Sequence, residues 1–339
     1  MNRHPSNAAP RAVPSARRRG LAAMLAVAAA VAWPAVARAQ AWPARPITLV
    51  VSFEPGGSTD LSARVVAQEL TRLLGQQVVV ENRVGAGGRI GTKSVALARP
   101  DGYTLLWGSG STLTAAPVLF ADQGHVATLV PVSLGATQPF VFVTTPAAGA
   151  KTLAEFIALA RRSPGALNFA SAGVGSSNHL LGEIFMASAG VQLAHVPYKG
   201  SASAKEALLK GEAQLMDEAV SPLLPQLRGG QLVPLFVTGE LRDPLLPDVP
   251  TAREVELHDL TITGFFGLLA PTGTPPDIVN RLNAATREAL AAPAVREAFA
   301  KVGFIGSAST PAQLAERIAQ GRSRYERIVR ERGIRVEGP

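Results

Sequence analysis

From residue 47 onward, the chain alternates between short apolar runs and longer amphipathic stretches. Residues 47–53 form a nearly continuous apolar run, which is typical of a strand buried on both faces of a parallel sheet. Apolar residues then recur at helical spacing over 58–74, and Gly75 ends the element. The same reasoning predicts further strands at 78–80, 104–107, 141–143, 167–170, 193–196, 214–216 and 232–237.

Helical spacing also recurs between the later strands and dominates the last third of the chain. It predicts helices at 153–162, 178–188, 202–210, 278–291, 294–302 and 311–332. Alternation of this kind predicts an α/β fold with helices on both faces of parallel sheets. Because the last third is mainly helical, we expect two α/β lobes with a helical C-terminal region rather than one wide sheet.

The N-terminal residues have the features of a leader. An arginine triplet at 17–19 precedes an uncharged, alanine-rich stretch at 20–37, and Ala37 and Ala39 are the small residues that signal peptidase accepts. We therefore predict a signal peptide over 1–39 and export to the periplasm, by the general or the twin-arginine route. A membrane anchor is the alternative, which the small alanine side chains and a late proline disfavour.

The net charge of +8 arises mostly from this leader. Residues 1–39 hold six arginines and no acidic residue, which leaves 27 basic against 25 acidic residues in the rest of the chain. Since no basic run interleaved with aromatic residues remains, we expect no nucleic-acid partner. The absence of cysteine excludes disulfides, thiolate catalysis and cysteine-ligated metals.

Common catalytic signatures are missing from the sequence. Neither a Gly-x-Ser-x-Gly nor a His-Glu-x-x-His motif occurs, and the histidines at 125, 179, 195 and 258 lack the spacing of metal ligands. The glycine-rich stretch 85–94 lacks the third glycine of a dinucleotide fingerprint and the Gly-Lys pair of a phosphate loop. The sequence therefore predicts a binding protein without metal or cofactor rather than an enzyme.

Three turns rich in glycine and serine follow predicted strands, at 54–60, 108–112 and 171–177. In open α/β sheets, ligands bind at the carboxyl ends of the strands, where free backbone N–H groups and helix N-termini receive an anion. One such turn is weak evidence because turns need these residues anyway, but three on two lobes predict an anion-binding cleft. Ser58 or Thr59 also suits a helix cap, and Asp60 also suits a first helical turn.

These turns belong to a longer series of motifs that resembles the Bug family, the periplasmic receptors of tripartite tricarboxylate transporters. The series runs in order over essentially all of the chain after the leader. It comprises Phe53-Glu54-Pro55-Gly56-Gly57-Ser58-Thr59-Asp60, residues 75–83, 85–88 and 100–105, residues 171–176, His195-Val196-Pro197-Tyr198-Lys199-Gly200, and residues 246–251, 267–271 and 273–275.

The resemblance implies an α/β, two-lobed type II periplasmic-binding-protein-like fold with two interlobe crossovers. The first lobe would comprise 41–142 plus 266–339, and the second 143–265. A small carboxylate would be held between the closing lobes by loop backbones, hydroxyls and water. Transferred by position, the ligand-binding residues are Phe53, Gly56, Gly57, Ser58, Asp60, Ser109, Gly173, Gly175, Ser176, Ser177, Tyr198 and Glu218.

Two departures from the family pattern introduce acidic residues. Glu218 lies where many relatives carry Phe-Asp-Asn, and Glu54 replaces a proline of the first motif. If both face the cleft, they repel a dianion or trianion, since like charges within about 4 Å cost about 1–4 kcal/mol. The ligand would then carry an amine besides its carboxylate, or only a single negative charge. The alternative is that one or both side chains point into solvent.

The sequence thus predicts a monomeric periplasmic receptor that delivers a small carboxylate or amino-acid-like ligand to membrane permease subunits. A ligand-presenting partner of a sensor kinase is the alternative. An exported α/β enzyme is disfavoured, because no set of nucleophile, base and orienting residue is evident. His195 and Lys199 match the motifs as well, although each, like Asp60, equally suits a structural role.

Overall fold

The computed structural model describes residues 42–120 and 124–334, together with Met1. The predicted signal peptide therefore lies, apart from Met1, outside the described residues. Within the described part of the chain, no helix combines the length and the apolar character needed to cross a bilayer.

The strands are β1 (Ile47–Val51), β2 (Val78–Asn82), β3 (Thr104–Ser109), β4 (Leu129–Thr144), β5 (Asn168–Ser171), β6 (Ala194–Pro197), β7 (Leu215–Ala219), β8 (Val233–Val237), β9 (Thr263–Pro271) and β10 (Ile305–Gly306). The α-helices are α1 (Ser58–Leu74), α2 (Arg89–Ala96), α3 (Ala116–Leu119), α4 (Gly124–Ala127), α5 (Leu153–Arg162), α6 (Ser177–Ala189), α7 (Ser201–Lys210), α8 (Val220–Arg228), α9 (Pro276–Ala291), α10 (Pro293–Lys301) and α11 (Pro311–Arg332). Short 3₁₀ turns lie at Ala86–Gly88, Pro146–Ala148 and His258–Leu260, and a π-helical turn lies at Ser111–Ala115.

The strands form a mixed sheet in the order β2-β1-β3-β9-β4-β7-β5-β6, with β8 and β10 also pairing with β4. As predicted, β1 runs parallel to β2 and β3, and β5 runs parallel to β6 and β7. The expectation of purely parallel sheets is wrong at the centre, where β9 is antiparallel to β3, and β4 is antiparallel to β7, β8 and β9. Prolines and glycines interrupt the apolar pattern of these two strands, so β4 was predicted only over 141–143 and β9 was not predicted.

The long strand β4 carries the chain from one half of the sheet to the other. Its residues up to Pro139 pair with β9, and its residues from Phe140 pair with β7 and β8. The chain returns through β9, which pairs with β3 and β4. The two crossovers divide the molecule into a first lobe around β1–β3 and a second lobe around β5–β8. The fold is therefore a mixed α/β fold with a curled sheet and two interlobe crossovers.

Each lobe buries its own apolar core. In the first, Trp107 of β3 and Phe299 of α10 belong to one buried cluster with residues of α1 and α9. In the second, Phe142 stacks on Phe236 with ring centroids 4.5 Å apart.

The C-terminal helix α11 packs against both lobes. Leu314 joins a core cluster with residues of β1, β3 and β9, whereas Tyr325 and Ile328 join the core of the second lobe. The helix thus spans the junction of the two lobes, although the sequence analysis assigned all of 266–339 to the first.

Candidate functional site

A cavity lies between the lobes, at the carboxyl ends of parallel strands of both. The turns after β1, β3 and β5 contribute to its wall, as predicted, together with the end of β7 and the two crossover strands. Its wall consists of Phe53, Glu54, Gly57, Ser58, Thr59, Ser109, Gly110, Ser111, Gln138, Phe140, Ala172, Ser177, Asn178, Ser201, Glu218, Gly264, Phe265 and Phe266.

Six of the twelve residues predicted to bind ligand line this cavity. They are Phe53, Gly57, Ser58, Ser109, Ser177 and Glu218. The other six lie outside the wall. They are Gly56, Asp60, Gly173, Gly175, Ser176 and Tyr198.

Asp60 fixes the first turn rather than facing the cavity. Its carboxylate accepts hydrogen bonds from Gly56 N at 3.0 Å, Arg64 Nε at 2.9 Å and Asn82 Nδ2 at 2.9 Å. Burial by itself raises the pKa of Asp60, but these three hydrogen bonds outweigh it and lower the pKa below its usual value. The hydrogen bonds of Asp60 thereby hold the turn that precedes α1 in place. The helix itself begins after Gly57 with no side-chain cap, so the predicted cap by Ser58 or Thr59 is wrong.

The turn after β5 is shaped by two glycines and closed by a helix cap. Gly173 and Gly175 have φ angles of +117° and +84°, which residues other than glycine rarely adopt. The hydroxyl of Ser176 accepts a hydrogen bond from His179 N at 3.1 Å and caps α6. These residues position the backbone around Ala172 and Ser177, which line the cavity.

Two histidines that the sequence analysis treated as scattered are stacked against this turn. The rings of His179 and His195 lie 3.8 Å apart at 9°, and Phe169 stacks on His195 at 4.7 Å. His195 Nε2 is 2.6 Å from Ser171 Oγ. Burial, with a smaller contribution from His179, lowers the pKa of His195 to about 3. His195 is therefore a neutral ring that supports the turn from outside the cavity wall.

Tyr198 and Lys199 also lie away from the cavity wall. The Tyr198 hydroxyl is 3.5 Å from Glu212, and burial together with this carboxylate raises the pKa of Tyr198. Lys199 is exposed to solvent.

Three buried side chains in the wall have polar atoms that make no hydrogen bond within the described residues. They are the Ser109 hydroxyl, both ends of the Gln138 amide, and Glu218 Oε2. Their exposed fractions are 4%, 2% and 1%. A buried polar group without a partner costs about 1–3 kcal/mol, so groups gathered around one cavity indicate that a polar ligand completes them.

The buried carboxyl of Glu218 lies at the cavity, and the carboxyl of Asp217 lies next to it, outside the cavity wall. Burial raises the pKa of Glu218, an effect that the nearby hydroxyls of Ser201 and Ser58 and the charge of Lys205 only partly offset. Burial and the proximity of Glu218 raise the pKa of Asp217 well above its usual value, although Asn178 Nδ2 donates to it at 3.0 Å. The solvent-facing alternative is therefore wrong for Glu218.

Glu54 also lies in the wall, and its carboxylate contacts the opposite lobe. Glu54 Oε1 accepts a 2.6 Å hydrogen bond from Ser203 N, in the first turn of α7. A second contact between the lobes joins Ser177 N to Ser111 Oγ at 2.9 Å. These hydrogen bonds hold the loops of the two lobes against each other around the cavity.

Several wall residues were not found from the sequence. Gln138 and Phe140 lie on β4, Gly264 and Phe265 lie on β9, and Ser201 begins α7. Ser201 lies at the end of the turn after the predicted strand 193–196, which was not among the three turns singled out. The other four lie on the crossover strands, of which β4 was predicted only over 141–143 and β9 not at all. The described residues contain no group of three or more His, Cys, Asp or Glu side chains able to hold a metal ion.

Two α/β lobes joined by crossover strands, with polar loops converging on a cavity between them, define the class of two-lobed solute-binding proteins. Residues 62–334 match the family described as the tripartite tricarboxylate transporter family receptor, TctC. The chain belongs to this family. It is 39% identical over 297 residues to the protein BugT of Bordetella pertussis, an alignment that covers 87% of this chain and 91% of BugT.

Solved structures show the same similarity. MatC from Rhodopseudomonas palustris, with bound malate, is 34% identical with a TM-score of 0.81, and the match covers 85% of this chain and 100% of MatC. Rpa4515 of R. palustris, with adipate, is 31% identical with a TM-score of 0.83, and the match covers 87% and 99% of the two chains. The Bug-family resemblance and the predicted fold class are thus confirmed.

Proposed function

We propose that this protein is a periplasmic receptor that captures a small organic carboxylate between its lobes and delivers it to the permease of a tripartite tricarboxylate transporter. The observation that carries the proposal is the set of buried, unpartnered polar groups of Ser109, Gln138 and Glu218 around the interlobe cavity. The malate and adipate bound by MatC and Rpa4515 support a carboxylate as the ligand class.

The proposal includes a division of labour among the twelve predicted ligand-binding residues. Those in the cavity wall contact the ligand through their hydroxyls, backbone N–H groups or ring. The others, of which Asp60 is the best defined, hold the turns in place.

The remaining features follow the sequence analysis. A signal peptide over 1–39 directs the chain to the periplasm, and the receptor acts as a monomer without enzymatic activity. The lobes extend over 41–142 plus 266–339 and over 143–265, boundaries that lie close to the change of strand partners after Pro139.

The ligand that suits this cavity carries at most one net negative charge. Glu54 accepts a hydrogen bond from the backbone of α7, which fixes its carboxyl group at the wall. When neutral, Glu218 donates a hydrogen bond to a ligand carboxylate. When ionised, it pairs with a ligand amine. Both states disfavour a trianion and favour a monocarboxylate or an amino acid.

Signalling to the permease requires that ligand binding change the population of the closed form. The ligand completes the hydrogen bonds of the unpartnered groups only when both lobes surround it. It therefore binds the closed form more tightly than the open form. Contacts such as that between Glu54 and Ser203 then stabilise the surface that the permease recognises.

A thermal-shift screen after unfolding, ligand removal and refolding tests the proposal. The panel comprises monocarboxylates, dicarboxylates, tricarboxylates and amino acids. A ligand at one hundred times its dissociation constant adds about 2.7 kcal/mol to the free energy of unfolding. We expect a hit among monocarboxylates or amino acids.

The variant Glu218→Gln completes the screen. It should weaken binding of an amino acid and tighten binding of a dicarboxylate, because it removes a negative charge from the wall. Glu212→Gln, outside the cavity, serves as the matched control. Hits confined to tricarboxylates, or a ligand preference unchanged by Glu218→Gln, would contradict the proposed ligand charge. No carboxylate hit at all would contradict the receptor function.

A further inference from the structure

A second cavity lies beside the ligand cavity, against the C-terminal helix α11. The two cavities share Gly110, Ser177, Gly264 and Phe265 in their walls. The new wall is formed by Arg317, Gln320 and Arg324 of α11 and by Thr261 at the start of the return crossover. Nothing in the proposed receptor function uses these groups.

Two arginines of α11 line this cavity. Arg317 and Arg324 are about two helical turns apart and therefore lie on one face of the helix. The Arg317 guanidinium carbon lies 5.1 Å from the centroid of the Phe265 ring. A guanidinium stacked in this way keeps its N–H groups available in the plane of the group.

The hydrogen bonds of this cluster are incomplete. Arg324 Nη2 donates to Thr261 O at 2.6 Å, but Nε of both arginines makes no hydrogen bond within the described residues. The Thr261 hydroxyl, on a residue that is 7% exposed, also makes none there. Three donors on residues of this wall thus lack acceptors among the described residues, which is a costly arrangement unless an acceptor reaches them.

The charge around the cavity is positive. Among the wall residues, Glu240 is the one acid, and its carboxylate lies 3.4 Å from Arg253 at the exposed rim. Burial lowers the pKa of Arg317, and no carboxylate contributes to that shift. The two α11 arginines therefore lack a counter-charge among the wall residues.

We propose that this second cavity is a binding site for a small dianion, which accepts hydrogen bonds from Nε of Arg317 and Arg324 and from the hydroxyl of Thr261. Inorganic phosphate and a short dicarboxylate share the required chemistry: two negative charges and several acceptor oxygens within reach of two guanidinium groups. The site is separate from the ligand cavity, since Gln138 and Glu218 line only the latter.

Side-chain NMR of the ¹⁵N-labelled protein tests the proposal directly. Sodium phosphate and sodium malonate are titrated separately, each against sodium chloride at the same ionic strength. We expect the Nε–H resonances of Arg317 and Arg324 to shift saturably with one of the dianions and not with chloride. The dianion whose shifts saturate at the lower concentration shows whether the site prefers phosphate or a short dicarboxylate.

Variants separate a built site from general charge effects. Arg317→Gln should weaken binding of the dianion about tenfold, as expected for the loss of a charge-assisted hydrogen bond. Arg330→Gln removes an exposed arginine from the same helix and should leave binding unchanged. Gln138→Met alters only the ligand cavity and should leave the Arg317 shift intact. Unsaturable shifts, equal effects of Arg317→Gln and Arg330→Gln, or loss of the shift in Gln138→Met would overturn the proposal.

Discussion

The carboxylate of Glu54 accepts a hydrogen bond from the backbone N of Ser203 at 2.6 Å, across 149 residues of sequence. Glu54 belongs to the first turn of the first lobe, and Ser203 lies in the first turn of α7 in the second lobe. A carboxylate at a helix N-terminus satisfies an otherwise unbonded N–H group and interacts favourably with the helix dipole. Glu54 thus replaces a side-chain cap for α7, which has none of its own.

Glu54→Ala is expected to weaken ligand binding by destabilising the closed form. Loss of a charged hydrogen bond at a helix N-terminus costs about 1–2 kcal/mol, which raises the dissociation constant by about 5- to 30-fold. Isothermal titration with the ligand found in the screen measures the change. Glu206→Ala, on the exposed side of α7, is the control and should have no effect. Equal affinities of Glu54→Ala and the wild type would show that this contact does not stabilise the closed form.

Gly200→Ala should reproduce the effect of Glu54→Ala without straining the backbone. The φ angle of Gly200 is 179°, which alanine adopts freely, but a Cβ atom there would lie 2.5 Å from Cγ of Glu54. The methyl group therefore displaces the Glu54 side chain from α7. In a double-mutant cycle the two substitutions should be clearly non-additive in ligand affinity. Additive losses would mean that Gly200 acts through something other than Glu54.

Gln138→Met is expected to stabilise the protein and to weaken ligand binding. Both polar ends of the buried Gln138 amide lack hydrogen bonds within the described residues, and methionine has a similar volume without them. The free energy of unfolding without ligand should rise by about 1–3 kcal/mol, while ligand affinity falls at least about tenfold. Denaturant unfolding and titration calorimetry measure the two quantities. A destabilised variant with unchanged affinity would exclude Gln138 from the site.

Asp217→Asn should raise stability at neutral pH more than at acidic pH. Burial raises the pKa of Asp217 well above its usual value, so the folded state binds more protons than the unfolded state between the two pKa values. The wild-type free energy of unfolding therefore decreases as pH rises from about 4 toward the folded-state pKa. The difference in Tm between variant and wild type should thus be larger at pH 8 than at pH 4.5.

The control for this measurement is Asn280→Ala at an exposed position, which changes no titratable group, so its effect on Tm should not vary with pH. A pH-independent gain for Asp217→Asn would show that the folded protein does not raise the pKa of Asp217.

His195→Gln is expected to have the opposite pH dependence. The pKa of His195 is lowered to about 3, so the folded state binds fewer protons than the unfolded state below about pH 6.5. The wild type therefore loses stability from this group as pH falls through that range. The variant loses the stacking on His179 and Phe169, about 1 kcal/mol at pH 7.5, and the deficit should shrink at pH 5. A deficit of the same size at pH 5 and at pH 7.5 would contradict the lowered pKa of His195.

The sequence by itself determined the elements whose residues carry a local pattern. The predicted helices 153–162 and 311–332 coincide with α5 and α11, because helical spacing and terminal signals are read over a few residues. The turns after β1, β3 and β5 were placed at the cavity for a similar reason. Carboxyl ends of parallel strands meet at one edge of a sheet, wherever the strands lie in the sequence.

Only the tertiary structure decided what the crossovers bring together. Gln138 and Phe265 line the cavity because β4 and β9 run antiparallel through the middle of the sheet, a pairing between residues far apart in the chain. The roles of Glu54 and Glu218 depended on the same packing. A glutamate has the same local signature whether it is solvated, bonded to a distant helix or buried at a cavity. Its burial and its partners decide among these, and both come from the other lobe or from the assembled sheet.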